Sequence, residues 1–135
     1  MSNTAIALLG FTSWTLFLVF SIASLRGFWS MKGGHALNAF SPDGSDVSPF
    51  SNRICRAHAN CLENLPIFAA IALYALATDQ TAITDSLALY VLAARVGQST
   101  VHMISTTVPA VLVRANLFVV QVVIMGWLLF QLATS

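Results

Sequence analysis

The sequence predicts an all-α fold: a single-domain integral membrane protein built as a four-helix bundle. Of its 135 residues, 57% are hydrophobic and 8% are charged, whereas about a quarter are charged in typical soluble domains. Six Lys/Arg and five Asp/Glu cannot cover the surface of a soluble domain of this length. The net charge of +1 also excludes the basic surface expected of a nucleic-acid-binding protein.

Each predicted helix has the length that a bilayer requires, about 20 mostly apolar residues. The four segments are residues 5–25, 55–78, 83–105 and 109–133. The first contains no charged residue and follows no positively charged region, so we expect a helix there rather than a cleaved leader. Membrane barrel strands would be shorter, about ten residues, so the lengths favour helices.

The connections between these segments predict their arrangement. Residues 27–52 form the single long connection, which is rich in Gly, Pro and Ser and is predicted to be an interfacial loop. The other two turns are short, so consecutive helices should be antiparallel neighbours. Lys and Arg cluster near the first and third connections, which places these in the cytoplasm and both termini outside. We expect a multi-pass protein, and the short loops favour a bacterial inner membrane.

Polar residues form a stripe along the second predicted helix. At about 100° per residue, its members lie within about 100° of one another; they are Arg53, Arg56, Asn60, Glu63 and Asn64. The third helix has a similar polar face, formed by Arg95, Gln98, Ser99 and His102. The fourth aligns Arg114, Phe118 and Gln121. At about 1.5 Å per residue, these faces converge on the cytoplasmic half of the bundle.

A charged side chain in the middle of a membrane helix costs about 2.5–3.5 kcal/mol, so the polar faces should meet one another or a water-filled cavity. Glu63 and Arg95 could form a buried ion pair that fixes helix register. Arg53 and Arg56 could be interfacial anchors, and His102 a packing residue. However, Arg56, Arg95 and Arg114 together exceed what one glutamate can neutralise. The surplus positive charge indicates an anionic ligand that carries one or more carboxylates.

The run from Arg56 to Pro66, RAHANCLENLP, closely resembles the signature of the MAPEG family, the membrane-associated proteins of eicosanoid and glutathione metabolism. That signature reads Arg-Ala-x-x-Asn-x-x-Glu-x-x-Pro, and every fixed position is present. Chain length, four helices, a long first loop, the Ala94-Arg95-Val96 run and Arg114 extend the resemblance. It implies a bacterial-type member that forms a homotrimer and binds glutathione as a cosubstrate between subunits, near the cytoplasmic face.

The resemblance also implies roles for individual residues. Arg114, assisted by His102, would stabilise the glutathione thiolate as the catalytic group. The glutathione-binding residues would be Arg26, Arg53, Arg56, Asn60, Glu63, Arg95, Gln98 and Phe118. A free thiol has a pKa of about 8.5, and an adjacent guanidinium would lower that pKa and increase the thiolate fraction. No metal is expected.

The activity implied is that of a microsomal-type glutathione transferase or peroxidase, acting on lipophilic electrophiles or hydroperoxides that enter from the membrane lipids. Three positions differ from relatives within the family. Phe118 stands where the enzymes often have a tyrosine, His102 where synthases tend to have one, and Gln98 where the prostaglandin E synthase branch has a histidine. An alternative is therefore a non-catalytic protein that binds lipid or glutathione. A small drug exporter is disfavoured because the first helix has no carboxylate.

Overall fold

The computed structural model describes all residues from Met1 to Ser135 and consists of four helices without strands. They are α1 (Asn3–Met31), α2 (Pro49–Ala77), α3 (Thr81–Ile104) and α4 (Val108–Thr134). The predicted all-α, four-helix fold is confirmed. Every helix begins before the predicted apolar segment, and the first connection shrinks from 27–52 to 32–48.

The difference is largest where α2 begins, at Pro49 instead of residue 55. The Ser48 hydroxyl accepts a hydrogen bond from the Ser51 N–H at 3.0 Å, and Pro49 occupies the first turn. This pair is a strong helix-start signal, because Ser satisfies a free backbone donor and Pro lacks one. A search for apolar segments misses it, since hydropathy marks the hydrocarbon-spanning part of a helix and not its polar extension.

Three helices, α1, α2 and α4, are long and apolar enough to cross a membrane. The third, α3, has 24 residues and is therefore about 36 Å long, but its composition is more polar. Its polar side chains Arg95, Gln98, Ser99 and His102 are buried among the other helices. Of the four predicted spanning segments, three are therefore apolar enough to span a membrane by composition. The remaining segment, α3, is more polar, and its polar residues face the interior of the bundle.

The central helix of the bundle is α3, which packs against each of the other three, whereas α1 and α4 make no contact with each other. The buried residues of α1, among them Ala7, Phe11 and Leu18, recur every three or four positions and therefore share one face. The Phe11 ring stacks on Phe68 of α2 with 5.7 Å between centroids. The opposite faces of α1 and α4 expose large apolar side chains, as expected for surfaces in contact with lipid.

Hydrogen bonds join α1 to α3 at the end of the bundle where both helices begin. The Thr4 N–H and hydroxyl both donate to the Asp85 carboxylate, at 2.8 and 2.6 Å. The Thr4 and Thr84 hydroxyls are 2.6 Å apart. This cluster, which we call the Thr4–Asp85 tie, fixes the two helices at the end remote from the long loop.

The 32–48 loop is folded back onto the start of α2. Gly44 is buried and has a φ of +69°, and the Arg26 guanidinium donates to the Ser41 carbonyl at 3.2 Å. Hydrogen bonds from the Ser45 N–H and hydroxyl, and from the Ser41 hydroxyl, lower the pKa of Asp43 to about 2. The loop is therefore an ordered cap on one end of the bundle.

Gly44→Ala is expected to displace this loop. The left-handed conformation costs a non-glycine residue about 1–2 kcal/mol, and a Cβ would lie 2.7 Å from the Ser51 carbonyl oxygen. Limited proteolysis should show faster cleavage within residues 32–48. Gly33→Ala is the matched control, since Gly33 has a φ of +78° but no atom within 4 Å of the added Cβ. Equal cleavage of the two variants would show that the Ser51 contact has no effect.

Candidate functional site

The polar faces of α2, α3 and α4 meet in the half of the bundle nearest the 32–48 loop. Five polar side chains of α3 and α4 there are at most 6% exposed: Arg95, Gln98, Ser99, His102 and Gln121. Since buried polar groups are normally hydrogen-bonded, their partners define the organisation of the site. They form two groups, one around Arg95 and one around His102.

Arg95 of α3 is completely buried, and a chain of side-chain amides holds its guanidinium. Its Nε donates to Gln121 Oε1 at 2.9 Å, and Gln121 Nε2 donates to Gln98 Oε1 at 2.8 Å. The guanidinium carbon lies 5.7 Å from the centre of the Phe11 ring, and the Cys61 side chain lies beside it. Its two terminal nitrogens have no acceptor within the chain. Arg95 therefore carries two buried donor nitrogens that no group of the chain satisfies.

The Glu63–Arg95 ion pair considered from the sequence does not form. The single ion pair of the chain joins His35 to Asp46 in the loop, at 3.5 Å. Cys61 and Glu63 are two positions apart on α2 and therefore point in directions that differ by about 200°. The buried Cys61 faces Arg95, so Glu63 is exposed on the outside of the bundle. Glu63 is close enough to Arg95 for an electrostatic interaction, but it does not neutralise Arg95 by contact.

The second group surrounds His102, which is also buried. Its Nδ1 is hydrogen-bonded to Asn60 Nδ2 at 3.2 Å. Arg56 and Arg114 are both close enough to His102 to act on it electrostatically, and Arg56 acts on Arg114 in the same way. Arg56 is exposed, Arg114 is half-buried, and the Nε of Arg114 is buried without a partner. The two arginines therefore concentrate positive charge beside His102, with no carboxylate in contact.

Besides Glu63, three predicted binding residues lie outside both groups. Arg53 donates from Nε to the Met103 carbonyl at 2.7 Å and lies over the Phe50 ring. Arg26 binds the loop, as described above. Phe118 of α4 is 40% exposed on the surface of the chain. No group of three His, Cys, Asp or Glu side chains is arranged to hold a metal ion.

The model of the MAPEG family matches residues 4–134, nearly the whole chain. The chain belongs to the MAPEG family. No curated protein and no solved structure matched the chain. Membership confirms the resemblance carried by Arg56, Asn60, Glu63 and Pro66. Together with the three apolar helices, it identifies a membrane protein with a function related to glutathione or eicosanoid metabolism.

Two residues of this MAPEG chain have roles that the sequence did not assign. Gln121 lies on the Arg114 face of α4, and in the structure it links Arg95 to Gln98. The sequence did hold a signal for this role of Gln121, since burying an amide side chain in a strongly apolar helix costs free energy unless the amide is hydrogen-bonded. Phe11, which lies against the Arg95 guanidinium, gave no such signal, because an aromatic residue on an apolar helix is ordinary.

Proposed function

We propose that this MAPEG protein is a glutathione-dependent membrane transferase or peroxidase that acts on lipophilic electrophiles or hydroperoxides. The observation that carries the proposal is the unneutralised positive charge in the candidate site. Arg56, Arg95 and Arg114 make no ion pair within the chain, and Glu63 is the one carboxylate near them. An excess of positive charge costs free energy in a membrane-embedded bundle, and binding of an anionic ligand would offset that cost.

Glutathione has groups that match these side chains. It carries two carboxylates, an ammonium and a thiol. The free terminal nitrogens of Arg95 and the exposed guanidinium of Arg56 are suited to carboxylates, since arginine binds them through two parallel hydrogen bonds. The exposed Glu63 carboxylate is suited to the ammonium. Asn60 and Gln98 add amide groups in the same half of the bundle.

The exposure of Glu63 and Arg56 supports a homotrimer with glutathione bound between subunits. Both side chains are exposed on the isolated chain, and Glu63 lies about 20 Å along α2 from Pro49. A carboxylate at that depth should not face lipid, so a second copy covering this face would remove the cost. The distribution of Lys and Arg supports a site on the cytoplasmic side, with both termini outside.

In the proposed reaction, Arg114 stabilises the glutathione thiolate, and the proton of the thiol is released to solvent. The thiolate sulfur attacks the electrophilic carbon of the acceptor, a C–S bond forms, and the leaving group departs with its bonding electron pair. With a hydroperoxide, two glutathione molecules are oxidised to the disulfide while the acceptor is reduced to an alcohol and water. His102, held by Asn60, orients the thiol end of glutathione.

Calorimetry and ultraviolet absorbance test this proposal on the detergent-solubilised protein. Glutathione at millimolar concentration should bind and produce thiolate absorbance, with a pH midpoint below the value of about 8.5 for a free thiol. S-methylglutathione is the matched ligand: it should bind but give no thiolate signal. Absence of measurable binding at millimolar glutathione would contradict the proposed function.

A second candidate function is non-catalytic binding of lipid or glutathione, and Phe118 is the observation that favours it. This side chain lies one helical turn beyond Arg114 and is 40% exposed, but it has no hydroxyl to assist a thiolate. Glutathione binding without turnover on a broad panel of electrophiles would support this alternative. Conjugation of any of these electrophiles above the uncatalysed rate would exclude it.

A further inference from the structure

The bundle has an apolar groove between α1 and the ends of α2 and α3 that the proposed function does not use. Its volume is about 610 Å³. Its wall includes Phe17, Phe20, Phe28, Phe50, Ile54 and Met103, and we call it the α1–α3 groove. Phe20 and Phe28 are 70% and 51% exposed, so the groove opens toward the surroundings of the bundle.

The groove lies on a different face from the candidate glutathione site. On α3, the direction of Met103 is about 100° from that of His102, and the groove-lining Ile104 is about 160° from His102. On α2, Ile54 is about 160° from Arg56. The two sites are therefore separate, and a ligand in the groove would leave the arginine cluster accessible.

Two cations lie at the mouth of the groove. Lys32 Nζ is 4.7 Å from the centre of the Phe28 ring, and the Arg53 guanidinium carbon is 5.9 Å from that of Phe50. Arg53 also donates to the Met103 carbonyl. Neither cation has a carboxylate partner. Lys32 ends α1 and Arg53 lies near the start of α2, so both are at the level of the membrane surface.

We propose that the α1–α3 groove binds one anionic phospholipid, with an acyl chain in the groove and its phosphate at Lys32 and Arg53. From Phe17 to Phe28 the groove follows α1 for about 16 Å, which suits an extended chain. Cations beside a bilayer attract anionic headgroups, and a guanidinium binds phosphate oxygens through paired hydrogen bonds. Free phosphate would satisfy the cations but not the apolar wall.

Native mass spectrometry of the detergent-solubilised protein can test this with phosphatidylglycerol and phosphatidylcholine of identical acyl chains. We expect one tightly bound phosphatidylglycerol per protomer, and a preference over phosphatidylcholine of about fivefold for each cation at the mouth. Lys32→Gln and Arg53→Gln should each reduce the preference by that factor. Lys32 makes no side-chain hydrogen bond, so its loss should not disturb the fold.

Two further variants locate the lipid. Arg26→Gln removes the same charge from α1 but on the side away from the groove, where Arg26 binds the loop, and it should leave the preference unchanged. Ser24→Trp, which fills the groove, should abolish binding of both lipids. Equal affinity for the two lipids, an equal loss in Arg26→Gln and Lys32→Gln, or undiminished binding in Ser24→Trp would each overturn the proposal. Displacement of phosphatidylglycerol by millimolar inorganic phosphate would also overturn it, because the acyl chain would then contribute nothing.

Discussion

Arg114→Ala is expected to lower kcat/KM for glutathione conjugation by about 10- to 100-fold at neutral pH. Without the guanidinium, the pH midpoint of the bound thiol should rise by about 1–2 pH units, so most of the bound glutathione would be protonated and unreactive. The measurement is the pH profile of conjugation to a chromogenic electrophile, with the thiolate absorbance followed in parallel. The loss should shrink as the pH is raised, because the thiol then ionises without assistance.

Two control variants test whether the loss of activity is due to the charge of Arg114. Arg114→Lys keeps a cation and should retain most of the thiolate absorbance at neutral pH. His58→Gln changes a half-buried residue on a different face of α2 and should behave as the wild type. A rate deficit in Arg114→Ala that is the same at every pH would contradict thiolate stabilisation and would assign Arg114 to binding alone.

Arg95→Ala should cause the largest loss of stability in the bundle, about 3–5 kcal/mol in the free energy of unfolding. The substitution empties a completely buried volume between Phe11, Cys61 and Gln121, and it leaves Gln121 Oε1 without its donor. The midpoint of thermal unfolding in detergent, followed by circular dichroism, should fall accordingly.

Arg95→Met separates the effect of the emptied volume from the effect of the lost donor and charge, since methionine fills much of the volume but carries no charge. It should cost only about 1–2 kcal/mol, the effect of one unsatisfied buried acceptor. Adding both Gln121→Leu and Gln98→Leu to Arg95→Met should recover part of that cost, because Gln121 also donates to Gln98, and replacing every partner of a buried polar network is often nearly neutral. If Arg95→Met and Arg95→Ala were equally unstable, the charge of Arg95, and not its volume, would hold the helices together.

Most of the fold could be predicted from the sequence, because a helix that crosses a membrane must be apolar over a nearly fixed length. The positions of the helix ends were harder to predict, since they depend on local capping residues and not on hydropathy. Ser48 and Pro49 start α2 six residues before its apolar segment, and α1 continues beyond Arg26 to Met31. Helical hydrogen bonds do not require apolar side chains at the membrane surface, so a pattern of hydrophobicity underestimates each helix.

The candidate site was predictable at the level of helix faces but not of partners. Angular spacing alone brings Arg95, Gln98 and His102 to one face of α3, and the structure buries all three. The choice of Gln121 over Glu63 as the partner of Arg95 depends on how α2 is rotated relative to α3, which single-helix periodicity does not define. Likewise, Arg53 shares a helix face with Asn60 by spacing, but its long side chain reaches the Met103 carbonyl instead.

The Thr4–Asp85 tie has a mechanical consequence for the opposite half of the molecule. It clamps α1 to α3 about 16 Å from Arg95 along the helix, where α1 offers the guanidinium only the face of an aromatic ring. The side-chain hydrogen bonds between α1 and α3 all lie at this end, whereas at the level of Arg95 the Phe11 ring contacts the guanidinium without a hydrogen bond. The polar attachment of α1 to α3 is thus confined to the end of the bundle remote from the 32–48 loop, and near Arg95 the pairing of these two helices depends on packing.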